Sequence, residues 1–305
     1  MLGLSEVLRE IGKHKGGLPT SYSRMHTLLG CPLSFFLRYQ KKIQLPKLPA
    51  NDDMVVGKQA HWIMENSMKT AYSCKDFSLA GAEFDFFFDY VYQRSTVEQA
   101  SIFSDIQKPM MAVLDRLLQL MSTAGTEIST EKKITLSPGG LPVKPTRAYY
   151  PKGKYPPLGF LGYIDLEMRR DGWMNLVDYK TEHPTRERRE EVIRQTGIYS
   201  YVEFLSDPTL NNVNTYCIYL KDATIDKVAH YNRERDFASL EHNVLTLMND
   251  YLVALENLEP EPRENRYCEY CDFRVAGMCP LHKEMTNGET AQERREKVGN
   301  LGAVA

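Results

Sequence analysis

The sequence predicts an α/β protein: a mixed sheet flanked by helices, preceded by a helical N-terminal region and closed by a helix and a cysteine-rich loop. Three observations predict it. Apolar residues recur at helical spacing through the first third of the chain, strand signals begin only after Gly125, and a long helical pattern then interrupts the strands.

In chain order, helices are expected over Leu2 to Lys13, from Ser21 or Ser23, again after Pro32, and over Val55 to Ala71. Helical segments follow at Phe84 to Gln93 and Gln99 to Met121. Alternating or β-branched runs place strands at Glu127 to Leu136, Gly159 to Arg169, Trp173 to Lys180, Asn214 to Leu220 and Thr224 to Tyr231. A helix over Arg186 to Phe204 separates the third strand from the fourth, and a last helix covers Leu240 to Leu258. Along the chain this gives a helical region 1–125, a sheet core 126–235, a helix and cysteine loop 236–285, and a polar tail 286–305 expected to fray.

With 305 residues, 42% hydrophobic and 26% charged, the chain has the composition of a soluble enzyme. No run approaches the ~18 apolar residues of a membrane span. The start, MLGLSEVLREIGKHKGG, lacks the apolar core and cleavage site of a signal peptide, so a cytoplasmic protein without membrane contact is expected. The net charge of -2 means that a nucleic-acid partner has to be held by local basic patches. Such patches occur at Arg38, Lys41, Lys42 and Lys47, at Arg186, Arg188, Arg189 and Arg194, and at Arg263 and Arg266, although each alone reads first as a solvated face. No G-x-x-x-x-G-K-[ST] loop occurs, so a helicase or recombination motor would be a separate partner.

The strongest chemical signal lies in GFLGYIDLEMRRDGWMNLVDYKTE. Asp171-Gly172 is a favoured two-residue hairpin turn because both central positions need positive φ. Asp165 and Asp178 are equidistant from that turn, so they lie opposite each other on one face of the sheet, and Lys180 points to the same face. Two facing carboxylates repel unless a cation lies between them, and all-oxygen ligation suits Mg²⁺ or Mn²⁺. Exposed surface aspartates are the commoner reading of such a pair, but the apolar neighbours Ile164, Leu166, Leu176 and Val177 argue for buried strands here.

These residues carry a family resemblance. G-Y-I-D followed by D-Y-K-T resembles the PD-(D/E)XK nuclease superfamily, with its restriction-endonuclease-like fold, and more narrowly the RecB-like exonuclease branch. Q-T-G-I-Y, from Gln195 to Tyr199, looks like that branch's Q-x-x-x-Y motif. His61 in G-K-Q-A-H-W-I-M-E looks like its N-terminal histidine motif, and Glu131 is similar to a further acidic position. The resemblance implies Asp165 and Asp178 as metal ligands, with His61 and the Tyr179 carbonyl as additional ones. It implies Lys180 as the residue that orients the attacking water and stabilises charge on the phosphate. Gln195 and Tyr199, four apart on one helix face, would present an amide and a phenol to a nucleotide, or else pack on the sheet.

Three of the six cysteines, Cys268, Cys271 and Cys279, fall within twelve residues, which in a chain without a secretion signal reads as a metal site. Zinc completed by His282 fits, and so does a cluster completed by a distant cysteine. Cys31, in L-L-G-C-P-L-S-F-F-L-R-Y, looks like the N-terminal segment of iron-sulfur nucleases such as AddB-type domains and CRISPR-associated exonucleases. That resemblance implies a 4Fe-4S cluster on Cys31, Cys268, Cys271 and Cys279, leaving Cys74 and Cys217 as ordinary thiols. The gap of seven before Cys279 is longer than that family's usual one, which keeps zinc open.

The expected function is a Mg²⁺- or Mn²⁺-dependent DNA exonuclease acting on single strands or resected ends, in recombination, repair or phage DNA processing. The alternative is a non-catalytic DNA-binding or scaffolding subunit of a nuclease-helicase complex. The intact Asp165, Asp178 and Lys180 set argues against it.

Overall fold

The computed structural model describes residues 1–14, 19–45, 52–76, 79–122, 125–143, 159–265, 267–268 and 271–282. The expected tail, together with Lys47 and Arg266 of the basic patches, lies outside the described residues. Helix α1 (Leu4–His14) buries Val7, Leu8 and Ile11. Helix α2 (Tyr22–Gly30) opens where the Ser21 hydroxyl accepts the Arg24 N–H, which selects the first of the two candidate serines. Helix α3 (Pro32–Phe35) begins on a proline, whose missing N–H is harmless there, and runs on as a π-helical turn over Phe36–Gln40. Helices α4 (Asp52–Cys74), α5 (Leu79–Tyr92) and α6 (Val97–Met121) follow, α6 opened by a reciprocal capping box between Thr96 and Gln99.

Five strands form one mixed sheet in the order β1 (Glu127–Leu136), β2 (Phe160–Arg170), β3 (Trp173–Lys180), β4 (Asn212–Tyr219), β5 (Thr224–Asn232). Asp171 and Gly172 adopt φ of 48° and 76°, as the tight hairpin turn requires, and the register runs from Arg170↔Trp173 to Leu166↔Val177. Helix α7 (Arg186–Ser206), capped by Thr185, carries the chain across so that β3 and β4 run parallel. The sheet is covered on both faces. Leu166, Met168, Val177, Tyr179, Ile218 and Leu220 join the core of α4, α5 and α6, while Val192 of α7 packs with Cys217, Tyr219 and Val228. Helix α8 (Arg233–Glu256) starts seven residues before the expected Leu240. Its opening is set by polar contacts that apolar periodicity does not register: Asn232 Oδ1 accepts the Arg235 N–H at 3.2 Å, and the Arg233 guanidinium donates to the Leu210 and Phe204 carbonyls.

Strand alternation breaks at one level of the sheet. Leu166 packs with the α4–α6 core, whereas a Cβ at Gly162, four residues earlier, would point at the Tyr199 ring of α7. In a regular strand these two positions share a face. On β1 likewise, Ile128 packs with the α4–α6 core, while Lys132 reaches Glu203 of α7. The switch coincides with Glu131, whose φ of 48° lies in the left-handed region, and with Asp165 opposite it.

The chain divides into two compact units, residues 1–20 with 51–249 and residues 21–50 with 250–305. The segments 1–125, 126–235 and 236–285 follow the sequence, whereas these units interleave: α4 and His61 belong with the sheet, and Cys31 belongs with Cys268, Cys271 and Cys279. No helix among the described residues is long and apolar enough to cross a membrane.

Candidate metal centre and active site

The register of the sheet places three carboxylates in a row. Glu131 sits between the pairs Thr130↔Leu166 and Lys132↔Ile164, hence opposite Asp165, and Asp165 is one step beyond Leu166↔Val177, hence level with Asp178. The sequence expectation that Asp165 and Asp178 pair directly within the ladder needs correction, because the ladder stops at Leu166↔Val177. Asp165 Oδ2 instead accepts the main-chain N–H of Tyr179 at 2.7 Å, a side-chain bond that replaces the next backbone rung. β2 and β3 therefore part where the acidic side chains gather, while β1 and β2 stay paired on either side of Glu131 and Asp165.

Helix α4 closes one side of this opening. His61 Nδ1 lies 3.5 Å from Asp165 Oδ2, and its ring meets Tyr179 edge-on at 5.7 Å. The buried Tyr179 hydroxyl contacts Met68 Sδ of the same helix at 3.4 Å, which fixes the strand end that carries Lys180. Lys180 Nζ forms an ion pair with Asp178 Oδ2 at 2.5 Å.

Helix α7 closes the other side. Gln195 Nε2 donates to Tyr199 Oη at 3.1 Å and reaches Asp178 Oδ1 at 3.4 Å. Tyr199 is buried, and its ring occupies the space left by Gly162, where an added Cβ would come within 2.6 Å of Tyr199 Cε1. The glycine of G-Y-I-D thus admits the tyrosine of Q-T-G-I-Y.

Charge is out of balance in this site. Burial pushes the Asp178 carboxyl up, with the Asp165 charge adding to burial and the Lys180 charge opposing it, and the net direction is upward. Burial pushes Asp165 up too, but the hydrogen bond and charge of His61, with Lys180 and the Tyr179 N–H, outweigh it and hold this carboxyl low. Glu131 is raised by burial and by the carboxylates of Asp165 and Glu65. His61 and Lys180 are both raised despite burial, because carboxylates surround them. The group wants a cation.

The residues fit a divalent one. Ligand atoms of His61, Glu131 and Asp165 lie within 4.8 Å of one another, and the buried Asp178 Oδ2 has Lys180 Nζ as its one polar contact at 2.5 Å among the described residues. The carboxylates suit Mg²⁺ or Mn²⁺, and an imidazole among the ligands shifts the balance from Mg²⁺ towards Mn²⁺. The structure brings Asp165, Asp178, Lys180, Tyr179, His61, Gln195 and Tyr199 into one neighbourhood. It adds Glu131, which the sequence offered only as a similar acidic position, because its place depends on a positive φ that no local residue pattern announces.

The basic run on α7 is largely neutralised. Arg186, Arg188 and Arg189 pair with Glu190, Glu182 and Asp226, while Arg194 is exposed and has no ion-pair partner among the described residues.

In the second compact unit, the segments that carry Cys31 and Cys268 are stitched together. Leu33 N–H donates to the Glu261 carbonyl, Asn265 Nδ2 donates to the Gly30 carbonyl at 3.2 Å, and the Asn265 N–H points at Cys268 Sγ at 3.3 Å. Neither Cys31 nor Cys271 uses its thiol to cap the helix it precedes, α3 or α9 (Asp272–Val275). Cys279 is raised first by burial and then, once a main-chain donor is offset, by the charges of Cys271, Cys31 and Cys268, so the four thiols form one neighbourhood. The seven residues before Cys279 hold α9, whose Phe273 is buried, and the turn at Gly277 that returns the chain. Cys217 lies apart under α7, its thiol pushed up to about 12 by burial, and Cys74 is exposed.

A family model described as the PD-(D/E)XK nuclease superfamily matches residues 19–280. No curated protein matches the chain. Among solved structures, one titled "Crystal structure of SSO0001" aligns over 82% of this chain and 95% of its own, at 14% identity and a TM-score of 0.30.

Proposed function

Because this chain belongs to the PD-(D/E)XK nuclease superfamily, we propose that it is a Mg²⁺- or Mn²⁺-dependent DNA exonuclease acting on single strands or resected ends. The observation that carries the reading is the convergence of Glu131, Asp165 and Asp178 from three neighbouring strands, with His61 within 4.8 Å of two of them. His61, Glu131, Asp165 and Asp178 would hold the divalent ion, with the Tyr179 carbonyl as a further oxygen. When bound, that ion supplies Lewis acidity at the phosphate and makes water a stronger nucleophile at neutral pH. The rest falls to the chain. Lys180 stays a cation between Asp165 and Asp178, so it orients water and offsets charge growing on the phosphate and does not take up a proton. Gln195 reaches Asp178 Oδ1 and donates to the Tyr199 hydroxyl, and the two would present an amide and a phenol to a nucleotide.

DNA is the proposed partner, delivered by a separate helicase or recombination protein, in recombination, repair or phage DNA processing. The test is cleavage of end-labelled single and double strands, and of closed circles, with Mg²⁺, Mn²⁺ or chelator. Metal-dependent loss of end label with circles left intact is expected. Cleaved circles would refute exonuclease action, and no cleavage of any substrate in either metal would refute the enzyme.

We further infer that Cys31, Cys268, Cys271 and Cys279 hold a 4Fe-4S cluster. What supports a centre shared by all four is the hydrogen-bond stitching that draws the Cys31 and Cys268 segments together. A four-iron cluster takes one cysteine on each of its irons, which four thiols supply. His282, the zinc alternative's fourth ligand, lies in the turn Pro280–His282, and its side chain is outside the described residues.

A further inference from the structure

Beside the acidic row lies a second charged group that plays no part in the chemistry above. Lys132 Nζ is 2.7 Å from Glu167 Oε2 and 2.8 Å from Glu203 Oε1. Arg169 pairs with the same two carboxylates, through Nε to Glu167 at 2.5 Å and through a second nitrogen to Glu203, and also holds Asp207 at 2.8 Å. The result is a closed ring of two cations and two glutamates that are 3% and 2% exposed. Buried charges at this depth are unfavourable unless each is paired on all sides, and here each glutamate has both cations.

The ring abuts the metal centre along the chain. Lys132 follows Glu131, Glu167 lies two residues past Asp165, and Glu203 lies one helical turn past Tyr199. Glu131 has a left-handed backbone, which is unfavourable for a residue with a Cβ and persists only where its surroundings over-determine it. On one side Thr130 is fixed by its rung to Leu166. On the other, Lys132 has its own rung to Ile164, and the ring holds its side chain on the α7 side of the sheet. Without the ring that side-chain hold is lost, Glu131 is freer to relax towards extended backbone, and its carboxylate would turn away from Asp165 and His61.

We propose that Lys132 is a positioning residue: by bridging Glu167 and Glu203 it holds Glu131 in the left-handed conformation that presents its carboxylate to the divalent ion. This rests on the metal-centre reading above, and the test separates the two. Mn²⁺ is titrated into the full chain and the free ion is counted by electron paramagnetic resonance, with folding followed by circular dichroism. Lys132→Met should weaken Mn²⁺ binding about tenfold, as loss of an outer-shell support does. Lys132→Arg should stay close to wild type. In a Glu131→Gln background, Lys132→Met should add no further loss, because both changes remove the same ligand. If Lys132→Met does not fold, Lys132→Met/Glu203→Gln removes one charge of each sign and takes its place in the cycle with the same expectations. A folded Lys132→Met or Lys132→Met/Glu203→Gln protein that binds Mn²⁺ as wild type does, or losses that add to those of Glu131→Gln, would overturn the role of Lys132 alone. Wild-type protein that binds no Mn²⁺, or Glu131→Gln that binds it unchanged, would overturn the metal centre and this role together.

Discussion

Asp178 carries two opposed demands, since burial disfavours its charge while Lys180, 2.5 Å away, requires it. Asp178→Asn keeps the shape and removes the charge, so Lys180 loses its partner and the site loses a ligand. Cleavage in Mg²⁺ should fall by at least about a hundredfold while the circular dichroism spectrum is retained. Near-normal rates across a metal titration would show Asp178 to be a structural ion-pair partner only. Gly162 makes a different claim. Its missing Cβ is the space that the Tyr199 ring fills, with Ile134 also 3.1 Å away. Gly162→Ala should cost about 1–3 kcal/mol through overpacking and lower turnover by displacing Tyr199 and Gln195, whereas an unchanged melting temperature would mean that the ring yields freely. At this scale the sequence was legible where local chemistry sets geometry: a turn of two positive-φ residues fixes the level of Asp165 and Asp178. It offered Glu131 only by resemblance and was silent on its conformation, since nothing in E-K-K-I-T-L marks a left-handed residue inside a strand. On the proposal above, that conformation is supported through Lys132, whose partners Glu167 and Glu203 lie 35 and 71 residues further along the chain.

Helix α7 does the work of an element: one face carries Gln195, Tyr199 and Glu203 at successive turns, the first on Asp178, the second in the Gly162 gap, the third in the charged ring. Its polar stripe packs on a sheet, so a reading by apolar periodicity undervalues it, and the Thr185 hydroxyl that opens it by accepting the Arg188 N–H is seen only in the structure. The strands were legible because alternation and the Asp-Gly turn are local signals. The start of α8 was not, because Asn232 and Arg233 set it by binding backbone groups and not by burying an apolar face. Gln195 reaches Asp178 only at 3.4 Å, and its amide, like the Tyr199 phenol, is a poor Mg²⁺ ligand but suits contact with a nucleotide. Gln195→Ala should therefore lower kcat by about tenfold or more while shifting the metal midpoint less, and Tyr199→Phe, which keeps the ring but loses its hydroxyl, should be milder. A Gln195→Ala variant with normal kcat and a large rise in metal demand would reverse that assignment and make the glutamine a support of the ligands, not of the substrate.

For the whole molecule, the order of the chain matters as much as its contacts. Residues 51–249 are inserted between the two halves of the unit that holds the cysteines, so any centre joining Cys31 to Cys268 ties positions 237 residues apart. Treated as a cross-link, closing so long a loop removes freedom from the unfolded chain worth on the order of 5 kcal/mol, comparable to the net stability of a typical domain. Among the described residues, the protein's own contacts across this junction include Asn265 to Gly30, Arg263 to Leu29 at 3.4 Å, Leu33 to Glu261 and the ion pair of Arg38 with Asp272. They suit a frame that sets the cysteines in place, with the inorganic centre supplying the hold. On the proposed reading the cluster acts as a clasp, and losing one ligand should unfold the chain before it alters the chemistry. Anaerobically purified protein should be brown and contain iron and sulfide. Cys31→Ala should be colourless, cut readily by protease, and denatured by urea at a markedly lower midpoint. A colourless wild type with one zinc per chain would replace the cluster and keep the clasp, whereas Cys31→Ala protein that is as stable and as active as wild type would refute both, because no cross-link of that span can be removed without freeing the loop it closes.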